Sequence, residues 1–454
     1  MNQRRDSRAD GKRPADAKPG LAARQAAAKL LAAVIDRQTS LDGLLDQENG
    51  NPAFRNLDPA DQALVRAMLQ ATLRHLPIIE AVLARLVDRP LPQGARALHH
   101  VLHIAVAQIL YLDVPDHAAV DLAVEQASGD PRNRRFAALV NAVLRRLIRE
   151  KDVLLQEVEE NTTNAPPWFA DRLQAAYGDS AAPILAAHAV PPAIDLTAKS
   201  NPQDWAERLG GILLPTGTIR LPAVPGPIPG LPGFAAGEWW VQDAAAAIPA
   251  RLFGDVCGKR VADLCAAPGG KTAQLAHAGA RVTAVDLSRN RLRRLDENLQ
   301  RLGLEADRIE ANCLDWHPET PFDAVLLDAP CSSTGTVRRH PDIPWTKGPE
   351  DIDKLAALQE RLLRHAVTLV RPGGTIVFSN CSLFPAEGED MVQRVLDTEP
   401  ALQRHAVDPA DWPGLEAAIT ARGEVRTTPA MLPHADARLA GMDGFFASVL
   451  TRLP

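Results

Sequence analysis

Apolar residues recur three and four positions apart over residues 21–150, and no segment with strand-like alternation interrupts them. Leu30, Leu31 and Val34 form one such group. This spacing places apolar side chains on a single face of each helix. It therefore predicts an all-α domain over residues 21–150, whose last helix covers residues 137–149.

From residue 258 the pattern changes to short apolar runs that alternate with helical segments. Alternating strands and helices at this spacing are typical of an α/β fold with a mainly parallel, doubly wound sheet. Strands are predicted at 260–264, 281–285, 308–312, 322–327, 375–379 and 445–450, and helices at 289–301 and 351–369.

The segment between these two regions has a different composition: a pattern typical of helices is followed by a run rich in prolines. Prolines and glycines in mixed order predict an extended connector. The prolines are Pro225, Pro227, Pro229 and Pro232. The sequence thus predicts a tail without regular structure over residues 1–20, the helical domain over 21–150, a linking domain and connector over 151–235, and an α/β domain over 236–454.

Composition is that of a globular protein, with 46% hydrophobic and 23% charged residues among 454. No apolar stretch is long enough to cross a bilayer, so no membrane association is expected. The five cysteines are odd in number and form no CxxC pair, which favours a reducing cytoplasm and no structural zinc. His99 and His103 are four residues apart, but no carboxylate or cysteine stands beside them in the sequence, so no metal site is predicted.

Charge is divided unevenly along the chain. Residues 1–150 contain 21 Lys and Arg against 17 Asp and Glu, whereas the remainder contains 29 against 39. A basic first third suggests a polyanionic partner. Arg145, Arg146 and Arg149 lie on the last predicted helix of this region, where they form either a solvated face or a nucleic-acid contact.

The turn after the first predicted α/β strand has the character of a cofactor site. Adjacent glycines allow a ligand to approach the backbone beside a helix N-terminus, and Asp286 at the end of the next strand can accept ribose hydroxyls. The turn is not GxGxxG, which argues against a nicotinamide dinucleotide. Its residues are Cys265, Ala266, Ala267, Pro268, Gly269, Gly270 and Lys271.

Cys331 and Cys381 each stand where an apolar strand ends in a loop. A thiolate is a strong nucleophile near neutral pH, and open α/β sheets place their reactive groups beyond the carboxyl ends of the strands. The two cysteines suggest a nucleophile and a helper. Spacing does not decide which of the two is the nucleophile.

Several motifs resemble known families. Residues 117–120 (His-Ala-Ala-Val) and 139–145 (Leu-Val-Asn-Ala-Val-Leu-Arg) resemble the helical RNA-binding domain of the NusB family. The turn at 265–271, the segment 328–332 (Asp-Ala-Pro-Cys-Ser) and the segment 379–382 (Ser-Asn-Cys-Ser) resemble the Nol1/Nop2/Sun family, class I methyltransferases that make 5-methylcytosine in RNA.

This resemblance implies a class I, Rossmann-like methyltransferase sheet preceded by an all-α NusB-like domain and a small linking domain, with S-adenosyl-L-methionine as methyl donor. The turn at 265–271 would line the donor pocket and Asp286 would hold the ribose. Asp315 would lie beside the adenine, although its motif reads Asn-Cys-Leu-Asp where the family usually has Gly-Asp. Asp328 would lie near the methionine end of the donor and the target base.

The resemblance also assigns the cysteines: Cys381 attacks C6 of the cytosine and Cys331 assists release. Asn380 replaces the Thr that usually precedes the nucleophile. With the NusB-like domain, the resemblance implies a cytoplasmic, monomeric enzyme for 16S rRNA, as naked RNA or in an early small-subunit particle. The alternatives are another RNA substrate, an RNA-binding assembly factor with an inert methyltransferase domain, or a DNA methyltransferase; DNA is not expected, since no target-recognition domain is seen.

Overall fold

The computed structural model describes residues 18–454 except 88, 90, 223 and 225. The chain divides into two compact units at Asn164 and Ala165. Most of the predicted tail, residues 1–17, lies outside the described residues, and so does Pro225 of the predicted connector. The domain boundaries at 150 and 235 stay a prediction, because compactness alone divides the chain only at residue 164.

The first unit is all-α, as the apolar spacing predicts. Its helix α6 is the central one, packed against α1, α4, α5, α7 and α8. Helix α8 continues twelve residues beyond the predicted end because Leu154 and Val158 extend its buried face. The helices are α1 (Leu21–Arg37), α2 (Leu41–Leu44), α3 (Pro52–Arg55), α4 (Pro59–Arg74), α5 (Leu76–Leu86), α6 (Arg96–Tyr111), α7 (Asp116–Gly129) and α8 (Ala137–Asn161).

The second unit begins with a small antiparallel sheet that the sequence pattern did not predict. Its strands have two to five residues, too few to show an alternation. The fully buried Trp239 packs on Leu196 and Ile219 in its core. The elements are α9 (Pro167–Tyr177), α10 (Ala181–His188), β1 (Ile194–Ala198), α11 (Pro202–Leu209), β2 (Ile212–Leu213), β3 (Ile219–Leu221) and β4 (Trp239–Val241), in the strand order β2-β3-β1-β4.

The same unit contains a larger, eight-stranded sheet in the order β10-β12-β9-β8-β5-β6-β7, with β11 beside β12. Strands β9, β8, β5, β6 and β7 are parallel to one another. Strand β12 pairs antiparallel with β9, β10 and β11. The elements are α12 (Ile248–Arg251), β5 (Arg260–Leu264), α13 (Gly270–His277), β6 (Arg281–Asp286), α14 (Arg289–Leu302), β7 (Asp307–Glu310), β8 (Phe322–Asp328), α15 (Ile343–Thr346), α16 (Pro349–Leu369), β9 (Val370–Asn380), α17 (Glu389–Leu396), β10 (Leu402–His405), β11 (Val425–Arg426) and β12 (Phe446–Arg452).

Buried side chains alternate between the two faces of this sheet. Ala262 and Leu264 of β5 pack in a core with α16 and α17, whereas Val261 packs on the opposite face with Leu275 of α13. Helices on both faces explain why the central strands are almost wholly apolar. This three-layer α/β arrangement confirms the predicted fold class, and it brings the carboxyl ends of β5, β6, β8 and β9 to one edge of the sheet.

Among the helices of the described residues, none is both long enough and apolar enough to span a membrane.

Candidate active site

A cavity of about 410 Å³ lies at the carboxyl edge of the large sheet. Its size is within the range of about 300–1,000 Å³ that is usual for small-molecule and cofactor sites. The lining residues include Trp240, Gln242, Asp243, Ala266, Ala267, Pro268, Gly269, Gly270, Lys271, Ala273, Arg291, Asp328, Thr336, Arg339, Cys381 and Phe445. Six residues of the predicted cofactor turn, one of the two cysteines and Asp328 therefore share one space.

The turn after β5 presents its backbone to this cavity. Cys265 and Gly269 both have positive φ, 60° and 99°, and α13 begins at Gly270. A Cβ at Gly269 would lie 2.7 Å from Cγ of Leu295, so only glycine fits between the turn and α14. Cys265 is the one member of the turn that does not line the cavity; its Sγ lies 4.0 Å from Sγ of Cys313.

Asp328, at the end of β8, holds a polar cluster on the cavity wall. Its Oδ2 accepts a hydrogen bond from Nζ of Lys271 at 2.7 Å, and its Oδ1 accepts one from Oγ of Ser379 at 2.9 Å. Lys271 is nine-tenths buried, and its Nζ lies 4.9 Å from the centre of the Phe445 ring. These contacts fix the Asp328 carboxylate in one orientation, since each oxygen has a buried or partly buried donor.

The two acids predicted at the cofactor differ in their surroundings, and neither lines the cavity. Asp286 is buried, and its carboxylate accepts from the backbone N–H groups of Ala267 at 3.2 Å and Ser288 at 3.0 Å, with Arg291 at 3.3 Å. It therefore holds the cofactor turn from behind. Asp315 is exposed and accepts a hydrogen bond from Nδ2 of Asn312 at 2.6 Å.

The two loop cysteines meet, as their positions at adjacent parallel strands suggest. Sγ of Cys331 lies 3.4 Å from Sγ of Cys381, and only Cys381 lines the cavity. The hydrogen bond that Cys331 donates lowers the pKa of Cys381 below its ordinary value, while that contact and burial raise the pKa of Cys331. The arrangement therefore favours a thiolate at Cys381, which faces the open space, and a thiol at Cys331 behind it.

A buried glutamate that the sequence analysis missed connects the two cysteine loops. Oε1 of Glu387 accepts from the backbone N–H of Ser332 at 2.8 Å, and Oε2 accepts from Oγ of Ser382 at 2.6 Å. Ser332 and Ser382 directly follow Cys331 and Cys381 in the chain. The repeated Cys-Ser pair was the one sequence signal of a shared partner. Glu387 therefore sets the distance between the two thiols.

Two neighbouring arginines in the loop after Cys331 have different environments. Arg339 lines the cavity and donates from Nε to Oδ2 of Asp443 at 2.8 Å, whereas Arg338 is buried and donates to the carbonyl of Ala440 at 2.8 Å. The side chain of Arg338 is thus part of the protein interior, and only Arg339 of the two lines the cavity. The pKa of Asp443 is raised to about 6, chiefly by burial and also by nearby Asp243, against the lowering by Arg339.

Several known proteins are similar to this chain in sequence or in fold. A family model described as 16S rRNA methyltransferase RsmB/F matches residues 255–451, and a NusB family model matches residues 21–149. The chain is 35% identical to ribosomal RNA small subunit methyltransferase B of Klebsiella pneumoniae over 86% of this chain and 93% of the relative. The protein of the same name from Vibrio vulnificus is 37% identical over 84% and 92%. A solved methyltransferase homologue from Pyrococcus horikoshii, 29% identical, aligns with a TM-score of 0.52 over 63% of this chain and 94% of its own.

Proposed function

This chain belongs to the RsmB/F family of 16S rRNA methyltransferases, and we propose that it methylates C5 of a cytosine in 16S rRNA through a covalent bond between Cys381 and C6 of the base. It is an S-adenosylmethionine-dependent rRNA methyltransferase. The cysteine pair is the observation that most supports the cytosine chemistry. Cys381, whose pKa is lowered, is the member of the pair that lines the cavity.

The residues of the cavity suit the proposed methyl donor. The backbone of residues 266–270 lines the cavity beside the N-terminus of α13, and the small side chains of Ala266 and Ala267 leave the space open. We propose that this turn holds S-adenosylmethionine. The ribose contact of Asp286 and the adenine contact of Asp315 stay predictions from the resemblance, since neither residue lines the cavity. When bound, this donor supplies an electrophilic methyl group.

Cys381 is the proposed nucleophile. C5 of cytosine is a poor nucleophile until a thiolate adds to C6, which gives C5 the electron density of an enamine. Lys271 and Ser379 hold Asp328, which we propose binds the N3 side of the base and so fixes C6 against the sulfur of Cys381. The base has to leave any stack to enter the cavity.

Cys331 is the proposed helper in product release. After methylation, C5 still carries its proton, and the product forms only when that proton leaves and the bond between C6 and Sγ of Cys381 breaks. When a solvent base takes the C5 proton, the electron pair of that bond re-forms the C5–C6 double bond and Cys381 leaves as a thiolate. Sγ of Cys331 lies 3.4 Å from this leaving sulfur, and its raised pKa keeps Cys331 a thiol that can donate a hydrogen bond to it.

The rRNA is the proposed partner of both the cavity mouth and the helical unit. Arg339 lines the cavity with its guanidinium partly exposed, which suits contact with a phosphate. Arg145 and Arg149 are exposed on α8 of the NusB-like unit. Phosphate contacts of this kind supply affinity and position the RNA without reading its sequence.

Methyl transfer to defined nucleic acids tests the proposal. The purified chain is incubated with labelled S-adenosylmethionine and, separately, with 16S rRNA, early small-subunit particles, large-subunit rRNA, tRNA or DNA. We expect label in 16S rRNA, at one cytosine that bisulfite sequencing then reads as 5-methylcytosine. Label confined to tRNA, large-subunit rRNA or DNA would contradict the assignment of substrate, and label in no nucleic acid would support an inert assembly factor.

A further inference from the structure

The helical unit contains a cavity of about 900 Å³, bounded by α1, α5 and α6, that has no part in methyl transfer. Glu80, His99 and His103 stand together in its wall. We propose that these three side chains bind one divalent cation of the zinc type. The proposal concerns the helical unit alone and goes beyond the rRNA methyltransferase activity.

The geometry of the three side chains suits a metal. His99 and His103 are one turn apart on α6 and so share a face, while Glu80 comes from α5. Their ligand atoms all lie within 4.8 Å of one another, and Nε2 of His103 lies 3.3 Å from Oε1 of Glu80. Zinc bonds of about 2.0–2.2 Å in a tetrahedral site place ligand atoms about 3.3–3.5 Å apart. One pair already has this spacing, and small side-chain rotations would bring in His99.

His103 supplies a second, independent observation. The residue is 1% exposed and lines the cavity. Within the part of the chain that the structure describes, its Nδ1 has no hydrogen-bond partner, and its Nε2 faces Oε1 of Glu80 at 3.3 Å without the geometry of a hydrogen bond. Buried polar atoms without a partner are rare, because each loses its hydration without compensation. A cation in the cavity wall would provide the missing partner, and the larger exposure of His99 and Glu80 leaves it a path of entry.

The neighbouring His100 shows what an ordinary histidine–carboxylate pair looks like on the same helix. Its Nε2 makes a hydrogen bond of 3.1 Å to Oδ2 of Asp36, which also pairs with Arg96. Nε2 of His103 lies 3.3 Å from Oε1 of Glu80 without the geometry of a hydrogen bond, so this pair differs from the His100–Asp36 pair.

The donor set also indicates the class of ion. Two imidazoles and one carboxylate suit zinc and related transition metals, whereas magnesium and calcium prefer oxygen ligands alone. The sequence predicted no metal site here because Glu80 is 19 residues from His99; only the packing of α5 against α6 brings it alongside.

Metal binding by the full chain tests the proposal. The protein is stripped with a chelator and titrated with Zn²⁺ against a chromophoric competitor, and Co²⁺ is used to read the ligand set from its visible absorption. His99→Gln and Glu80→Gln change partly exposed side chains and should leave the fold intact. His117→Gln, an exposed histidine outside the group, is the matched control.

We expect one tightly bound Zn²⁺ in the wild type and in His117→Gln. Since losing an outer-shell partner alone costs about 10- to 100-fold in metal affinity, His99→Gln and Glu80→Gln should each lose at least as much. Co²⁺ should show a tetrahedral spectrum without thiolate charge-transfer bands. Absence of binding, affinity unchanged in both variants, or a thiolate spectrum that disappears in Cys381→Ser would overturn the proposal.

Discussion

Two pairs of cysteines lie at the same edge of the large sheet, and only one pair has the surroundings of a catalytic site. Sγ atoms are 3.4 Å apart in the Cys331–Cys381 pair and 4.0 Å apart in the Cys265–Cys313 pair. In each pair one thiol donates to the other, which lowers the pKa of Cys381 and of Cys313. Closeness and a lowered pKa therefore do not distinguish the pairs.

Access to the cavity and the contacts that hold the loops do distinguish the two cysteine pairs. Cys381 lines the cavity, whereas Cys313 is buried in the core beneath the sheet with Leu264 and Val285. Glu387 also ties together the loops of the first pair. A catalytic cysteine is thus recognised by its access to substrate and by contacts that fix its position. Substitutions in each pair, and at Glu387, test these two properties.

The largest effect is expected for Cys381→Ala. Removal of the nucleophile should lower methylation of 16S rRNA by a factor on the order of 10³ or more, and no protein–RNA adduct should form. Cys313→Ala is the control, since Cys313 does not line the cavity, and it should keep most of the activity. Both variants are assayed with labelled S-adenosylmethionine. A larger loss in Cys313→Ala than in Cys381→Ala would reverse the comparison.

Cys331→Ala should slow turnover by roughly 10²-fold, the usual range for loss of an acid–base group. Cys381 can still attack in this variant, although with a smaller thiolate fraction, so a protein–RNA adduct should accumulate that survives denaturing gel electrophoresis. Cys257→Ala, at an exposed cysteine outside both pairs, should give neither the adduct nor the slow turnover. If the adduct instead disappears in Cys331→Ala, the roles of the two cysteines are exchanged.

Glu387→Gln tests whether Glu387 holds the two cysteine loops in position. The amide keeps the shape of the side chain but replaces an acceptor oxygen by a donor, so Ser332 and Ser382 lose part of their fixed geometry. Misplacement of a reacting group by about 1 Å can cost about 10²-fold in rate, and we expect kcat to fall by roughly 10- to 100-fold with KM for the methyl donor unchanged.

Glu360→Gln, which removes a partly exposed ion pair with Arg364, is the matched control and should leave kcat as it is. Thermal unfolding checks that both variants fold. Wild-type kcat in a folded Glu387→Gln protein would show that the thiols keep their positions without this carboxylate.

A smaller effect is expected on the pH dependence of thiol alkylation. The pKa of Cys381 is lowered chiefly by the hydrogen bond from Cys331, so Cys381 should react with iodoacetamide at pH values where an ordinary thiol, with a pKa of about 8.5, is largely protonated. Cys331→Ala removes the donor, which raises the pKa of Cys381 and moves its rate profile to higher pH. Peptide mass spectrometry follows each site separately. A profile that does not move would mean that another group lowers the pKa of Cys381.

Much of the α/β domain could be predicted because its central strands are apolar runs buried on both faces. Strand β5 has the bounds that its pattern predicts, and α16 begins two residues before its predicted start. Strand β10, with the sequence Leu-Gln-Arg-His, was missed because no apolar run identifies such a short strand. The small sheet was missed for the same reason.

The candidate site was predictable where chemistry follows a strand end, as at Asp328 and Cys381. The part of the site that depends on side chains distant in the sequence was not predictable. Glu387 lies 55 residues from Ser332, and nothing in its local sequence indicates that contact. Arg338 and Arg339 look alike in the sequence, yet only the tertiary packing buries one and opens the other to the cavity.

The most direct test of the central claim identifies the atom that bonds to the base. RNA carrying 5-fluorocytidine at the target position is incubated with the wild-type protein and S-adenosylmethionine; fluorine at C5 cannot leave as a proton does, so the adduct persists. Digestion and mass spectrometry then locate the nucleotide on the peptide. We expect it on Cys381, and a nucleotide on Cys331, or no adduct at all, would contradict the account.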